Sequence, residues 1–261
     1  MVTSNGIANE PTNGVGNSAG NGLANALAGL PALPPRASTA EHAAQMLRTQ
    51  IAQGHLLPGT KLREEQVSAA FAISRNTVRE AFRLLSHERL VDHTLHRGVH
   101  VRMVTADDIR AMYATRRLVE PLAVEAAVGG DSTDRDDGTD VGADGAVAGT
   151  VRPALRDLVD AAEAAAGRGD WDAVGTADIE FHRQLMAACH SPHLSTMFEQ
   201  LLAELRLAFL LLPDRRSLHE PYVGRNRRLV DLLDAGDRAG AVAELRDYLD
   251  VAERHLLASV G

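Results

Sequence analysis

Apolar residues along this chain recur mostly at three- and four-residue intervals, the period of a helix with one buried face. The pattern starts near Ala40, puts Ala43, Leu47 and Ile51 on one side, and stops at Gly54 before the turn Pro58-Gly59. A short helix is predicted over Glu64–Phe71. Ser74, a residue type favoured at N-caps, opens the next over Arg75–His87, with Val78, Ala81, Phe82 and Leu85 at helical spacing. Between Leu90 and Arg102 the period drops to two around Arg97-Gly98, which predicts a two-stranded hairpin. Beyond Thr105 only the helical period returns. It predicts helices over Asp107–Val128, Val151–Gly167, Trp171–Cys189, Pro192–Leu212, Tyr222–Ala235 and Arg238–Ser259.

Two stretches carry no such pattern. Residues 1–37 are rich in Asn, Gly, Ala and Pro and are expected to be a disordered tail. Residues 129–149 are rich in Gly, Asp and Thr and are expected to be a flexible insertion. The fold class that follows is mainly α, with three helices and a β-hairpin in residues 38–103 and an all-helical bundle in residues 104–261.

Composition narrows the setting. Hydrophobic residues make up 45% of the 261 residues, enough for two cores, while aromatics are only 3%, so packing rests on Ala, Leu and Val. No apolar run approaches the ~20 residues that span a bilayer. The opening residues lack the charged-then-apolar order of a secretory signal. The single cysteine, Cys189, excludes an intrachain disulfide or a multi-cysteine zinc site, and it is expected to be buried rather than redox-active. A cytoplasmic location and no membrane contact are therefore expected. The net charge of −8 is unevenly spread: residues 38–103 hold nine basic against six acidic side chains, and residues 104–261 hold 17 against 28. A basic segment on an acidic body suits a protein that meets phosphates at one end only.

The basic segment has an ordered chemistry. With the apolar face of the Arg75–His87 helix turned inward, Arg75, Arg79 and Arg83 form a stripe on the opposite face, beside Asn76 and Thr77 in the first turn. A recognition helix needs such an arrangement, because Arg bonds guanine bidentately in the major groove while Asn and Thr read other base edges. A helix start also favours phosphate. Taken alone, an arginine stripe is most often a solvated face. The surrounding residues change that reading. Ile51, Gly54, Leu57-Pro58-Gly59, Leu62, the run from Ile73 to Ala81, Leu84-Leu85, Glu88, Leu90-Val91 and Arg97-Gly98 together resemble the winged helix-turn-helix of the GntR superfamily, in its FadR-like branch. The resemblance implies DNA contacts from Ser74, Arg75, Asn76, Thr77 and Arg79, and wing contacts from Arg97 and Gly98. Arg63, just before the first helix of the motif, is a candidate for backbone phosphate. Glu65 stands where some relatives carry a basic contact, and Asn76 where Thr is common.

The helical half resembles the FCD domain of the same branch through Tyr113, Arg116, Leu118, Glu120 and Ala123, through Asp178-Ile179-Glu180-Phe181-His182, and through Arg228, Val230 and Ala235-Gly236-Asp237. Asp178 and His182, four residues apart on one helix, have a metal-ligand spacing, so a divalent ion such as zinc is a candidate cofactor. The resemblance places Asn226 and Tyr248 where many relatives complete the site with histidines, which leaves the set incomplete. A hydrogen-bonded Asp–His pair lining a polar cavity is the favoured reading. His219 and His255 are expected at the surface. The candidate effector site is then Arg116, Asp178, His182, Asn226 and Tyr248, with Arg116 either pairing an organic acid or bridging to Glu120 at the next turn. No nucleophile elbow or phosphate loop points to an enzyme. The expectation is a transcription regulator, a repressor relieved by ligand, with double-stranded operator DNA, a small-molecule effector and a second copy of the chain as partners. The alternative is a metal-dependent sensor or enzyme built on Asp178 and His182.

Overall fold

A computed structural model describes residues 37–94, 98–129, 144–212 and 214–260. The expected tail up to Arg36, the hairpin tip with Arg97 and most of the expected insertion, residues 130–143, lie outside the described residues.

The chain begins with α1 (Ala37–Ala52), whose Ala40, Ala43, Ala44, Leu47 and Ile51 are buried, the face that the apolar period predicts. A two-residue strand β1 (Lys61–Leu62) leads into α2 (Glu64–Phe71) and α3 (Arg75–His87), then β2 (Val91–Thr94) and β3 (Gly98–Val101). Ala72 ends α2 in the left-handed region at φ 53°, which turns the chain sharply between the two helices. Ser74 then caps α3: its Oγ accepts from the Thr77 N–H at 3.1 Å. Val78, Ala81, Phe82 and Leu85 are all buried. The hairpin is antiparallel, with Thr94 opposite Gly98. Its φ of +86° explains the glycine at position 98. Sequence periodicity missed β1, which pairs with β3 and makes a three-stranded sheet of order β1-β3-β2; two residues are too short to show a period.

Six helices follow: α4 (Ala106–Gly129), α5 (Asp144–Gly167), α6 (Trp171–Ala187), α7 (Pro192–Leu210), α8 (Arg215–Asp234) and α9 (Arg238–Val260). Two depart from expectation. Helix α5 starts at Asp144, not Val151, so the last part of the expected insertion is helical. Helix α8 starts at Arg215, seven residues before the predicted Tyr222. Pro221 lacks the donor that an interior turn uses. The structure carries it inside α8 and caps the true start with Asp214, whose carboxylate accepts from the Ser217 N–H at 3.1 Å.

The described residues from Thr39 onward pack as one unit. The DNA-motif half and the helical half meet through ions. Helix α3 ends in a left-handed residue, Arg89 (φ 59°), while Leu90 N–H donates back to Leu85 O at 2.9 Å. That turn sends the Arg89 guanidinium to Asp108 on α4 (3.3 Å) and Glu204 on α7 (3.1 Å), and Arg102 joins the same two carboxylates. Beside them, Arg206 on α7 donates from Nε to the carbonyl of Ala52 at the end of α1, at 2.8 Å. A cation at a helix C-terminus is favourably placed.

Candidate nucleic-acid interface and effector site

Packing of α3 leaves a polar face outward. Arg75, Arg79 and Arg83 are all well exposed, and Ser74 and Asn76 are exposed beside them; Thr77 is half-buried, with its hydroxyl 2.8 Å from Ser74 Oγ. Arg63 is exposed directly before α2 and makes no side-chain cap there. Gly98 is half-buried at the start of β3. A concavity of about 530 Å³ runs between α3 and the hairpin, lined by Glu64, Arg79, Phe82, Arg83, His93 and Val99 among others. Sequence reading did not foresee that the arginines are paired: Arg75 with Glu65 at 2.9 Å, Arg79 with Glu64 at 2.9 Å, and Arg83 with Glu80 at 2.6 Å. Only the last pair has a helical spacing that sequence could have signalled.

The second site lies in the helical half. Arg116 and Glu120 from α4, Asp178 and His182 from α6, Asn226 from α8 and Tyr248 from α9 are all buried. One chain of contacts links them. Arg116 Nε donates to Glu120 Oε1. Glu120 Oε2 accepts from His182 Nδ1 at 2.8 Å. His182 Nε2 lies 3.3 Å from the Tyr248 hydroxyl, which donates to Asp178 Oδ1 at 2.9 Å. Asn226 Nδ2 donates to the same Asp178 oxygen at 2.8 Å. The five residues read as an effector site are thus brought together, with Glu120 as the sixth.

Charge in this cluster is tuned by its members. Burial pushes the Glu120 carboxyl up, but the Arg116 charge and His182, each with a hydrogen bond, outweigh it and hold the group down at about 2. Burial likewise opposes the charge on Arg116, and Glu120 restores it, so the guanidinium stays ionised. Burial raises Tyr248 well above the usual phenol range, with Asp178 adding to it, and raises Tyr222 to about 12. Two polar atoms in the cluster are buried without a partner among the described residues: Arg116 Nη2 and Asn226 Oδ1. Arg116 also lies 5.0 Å from the Tyr113 ring centroid, and both side chains line a small cavity with Asp178, His219, Tyr222 and Tyr248. That cavity measures about 10 Å³, close to the ~10–15 Å³ that one water needs.

Both spare histidines depart from the surface position expected for them. His219 is buried, edge-on to Phe209 at 5.0 Å between centroids, and burial lowers its pKa to about 4. Gly175 makes room for it: a Cβ there would sit 2.4 Å from His219 Nε2. His255 is half-buried, with its Nδ1 3.1 Å from the Tyr222 hydroxyl. Nothing in the local sequence distinguishes these two from solvated histidines. Cys189 is half-buried, and burial raises its thiol pKa, which disfavours thiolate chemistry.

The profile of the bacterial regulatory proteins of the gntR family matches residues 39–101, and the FCD domain profile matches residues 146–251. A crystal structure titled as a candidate transcriptional regulator GntR from Rhodococcus sp. RHA1 superposes with a TM-score of 0.73 at 36% identity, covering 85% of this chain and 99% of that one. The chain belongs to the gntR family of bacterial regulatory proteins. Among curated relatives, this gntR-family chain is 26% identical to the gluconate operon transcriptional repressor of Bacillus subtilis over 82% of its own length and 84% of the repressor. It is 38% identical to the HTH-type transcriptional regulator BphR of Paraburkholderia xenovorans over 32% of its length, spanning 34% of that relative.

A divalent ion, which the resemblance makes a candidate in this gntR-family chain, does not fit the residues present. His182 has its two ring nitrogens turned to Glu120 and Tyr248, and Asp178 Oδ1 already accepts two hydrogen bonds. Asn226 and Tyr248 are poor ligands, and among the described residues no three His, Cys, Asp or Glu side chains converge as a metal site would require. A larger cleft of about 840 Å³ opens between α1 and helices α6 and α7. Its Arg48 is paired with Glu88, and its Arg183 with Glu180 and Glu199. Among the described residues no helix is long and apolar enough to cross a membrane.

Proposed function

We propose that this chain is a sequence-specific DNA-binding transcription regulator, a repressor, whose affinity for its operator is changed by a small organic acid bound in the FCD domain. Residues 38–103 form the DNA-binding domain in this reading, and residues 104–261 the effector-binding and dimerisation domain. The observation that carries it is the outward arginine face of a capped helix standing next to a β-hairpin, in a chain of this family. Arg75 and Arg79 would bond base edges, while Ser74, Asn76, Thr77 and Arg63 would meet phosphates or neighbouring bases, and Arg97 with Gly98 would reach from the wing. One such helix reads only a few base pairs, so two copies on a palindrome are expected.

The effector reading rests on the unpartnered Nη2 of Arg116, which lines the cavity with Tyr113, Tyr222 and Tyr248, and on the unpartnered Oδ1 of Asn226, which bonds Asp178 on the same cavity wall. A guanidinium N–H with no acceptor suits a carboxylate, and the hydroxyls and the amide suit further oxygens of the ligand. The gluconate repressor among the relatives is in keeping with a sugar acid. At about 10 Å³ the cavity must open to admit one, and the Phe209–His219 contact on its wall is where it would part. The chain is not an enzyme in this reading, and it works in the cytoplasm.

Selection of duplexes from a random pool by the purified full chain tests the first half. One enriched, two-fold symmetric sequence is the expected result, and no enrichment overturns the reading. Thermal shift against a panel of sugar acids and other small carboxylic acids tests the second half. A rise in Tm with one acid, lost in Asn226→Ala, is expected. A flat response across the panel overturns the effector assignment and leaves the DNA assignment standing.

A further inference from the structure

We propose that Glu64 is a positioning residue for operator recognition and that Glu65 is a restraint upon it; this rests on the DNA-binding reading above. The two acids follow each other at the start of α2, yet they hold their arginines by different edges. Glu64 takes Arg79 at Nε alone, with Oε1 at 3.0 Å and Oε2 at 2.9 Å. The two Nη atoms of Arg79 make no side-chain hydrogen bond among the described residues. They form the terminal fork of the guanidinium, one of the edges that can bond guanine O6 and N7 together. Glu64 therefore fixes the side chain and leaves its reading end free.

Glu65 holds Arg75 through Nη2, at 2.9 Å from Oε1. That bond takes one N–H of Nη2, a member of the terminal fork. While it lasts, the Glu65 carboxylate sits beside the end of the guanidinium that would face a base. Both partners are exposed, at 60% and 73% of their side-chain surface, so the pair is easily exchanged for another acceptor. Exposed pairs of this kind contribute little to stability, which leaves their effect on DNA as their main consequence.

Charge gives both acids a second effect. Each places a negative carboxylate within reach of the phosphates that a docked α3 would approach, and each cancels an arginine that would otherwise bind phosphate at any sequence. Non-specific affinity, which comes almost wholly from phosphate neutralisation, falls more than specific affinity. Glu64 adds orientation to this, and Glu65 subtracts a contact.

The test uses the full chain, the duplex it selects and a random-sequence duplex of equal length, with affinities measured across a salt series. Removing the acceptor in Glu64→Gln, and more completely in Glu64→Ala, is expected to reduce the ratio of selected to random affinity by about 5- to 100-fold, the discrimination of one bidentate base contact. Affinity for the random duplex is expected to hold or rise. Glu65→Gln is expected to raise affinity for both duplexes and to steepen the slope of log K against log salt by about one, the signature of one more phosphate contact. Melting temperatures within about 2 °C of the parent protein establish that the variants fold. A Glu64→Ala ratio within twofold of the parent overturns the positioning role, and a Glu65→Gln variant that binds the selected duplex more weakly overturns the restraint. A parent chain that selects no sequence is a different failure, that of the DNA-binding reading itself.

Discussion

Glu120 is the point on which the buried polar cluster turns, and Glu120→Gln should show it. The carboxylate is fully buried between Arg116 and His182. Gln keeps an oxygen for His182 Nδ1 but removes the charge that compensates Arg116. Breaking a buried ion pair from one side costs about 3–5 kcal/mol, since the other charge stays buried without its counter-ion. For a chain of this size 1 kcal/mol moves Tm by about 2–4 °C, so a fall of about 6–20 °C is expected at pH 7. The double variant Arg116→Met with Glu120→Gln removes both charges and should recover most of that loss, because an uncharged pair of similar shape avoids the desolvation cost. The pH dependence gives an independent handle. The Glu120 pKa is about 2 in the folded chain against 4.5 for a free carboxyl. A depressed acid stabilises the fold above 4.5, and the contribution disappears as pH falls toward 2, about 3 kcal/mol in all. Circular-dichroism melts of the four proteins of this cycle between pH 3 and pH 7 carry the test. If Glu120→Gln melts within 2 °C of the parent, or the double variant is no more stable than Glu120→Gln, the cluster is not held together by charge.

Three further outcomes follow from the same packing. His219 is buried neutral, with a pKa near 4 against 6.5 for a free histidine, so stability should be complete above 6.5 and fall by about 3 kcal/mol on the way down to 4; in His219→Gln the denaturant midpoint should lose that part of its pH dependence. Gly175→Ala forces a methyl to 2.4 Å from the His219 ring, and overpacking of this kind should lower unfolding stability by about 1–3 kcal/mol in urea titrations. Arg206→Ala removes the charged donor on the Ala52 carbonyl and should weaken the join between α7 and α1 by about 1.5–3 kcal/mol, visible as faster hydrogen exchange in the last turn of α1.

Local chemistry was legible in the sequence; tertiary pairing was not. The bounds of α2 and α3 follow from Ser74 as an N-cap and from the spacing of Val78, Ala81, Phe82 and Leu85, because a cap and a buried face are properties of a short window. The association of Arg116, Asp178, His182, Asn226 and Tyr248 came through a resemblance, since four separate helices supply them and no periodicity links them. The Arg116–Glu120 bridge was readable as an i,i+4 pair. The ion pairs of Arg75 and Arg79 with α2 and of Arg89 and Arg102 with Glu204 were not, because each joins residues on different elements. His219 was misread for the same reason: the glycine that accommodates its ring sits 44 positions earlier, on another helix. Pro221 is a local helix breaker that the surrounding bundle overrides.

Recognition of a DNA groove by α3 is the central claim. Equilibrium binding of the double variant Arg75→Gln with Arg79→Gln, against the selected duplex and a scrambled one, measures this in a protein whose melting curve matches the parent. Preference for the selected duplex is expected to drop by about 30-fold or more, at ~1–3 kcal/mol for each lost base contact. A variant that keeps the parent's preference would contradict it, and some surface other than this helix would then be the one reading the DNA.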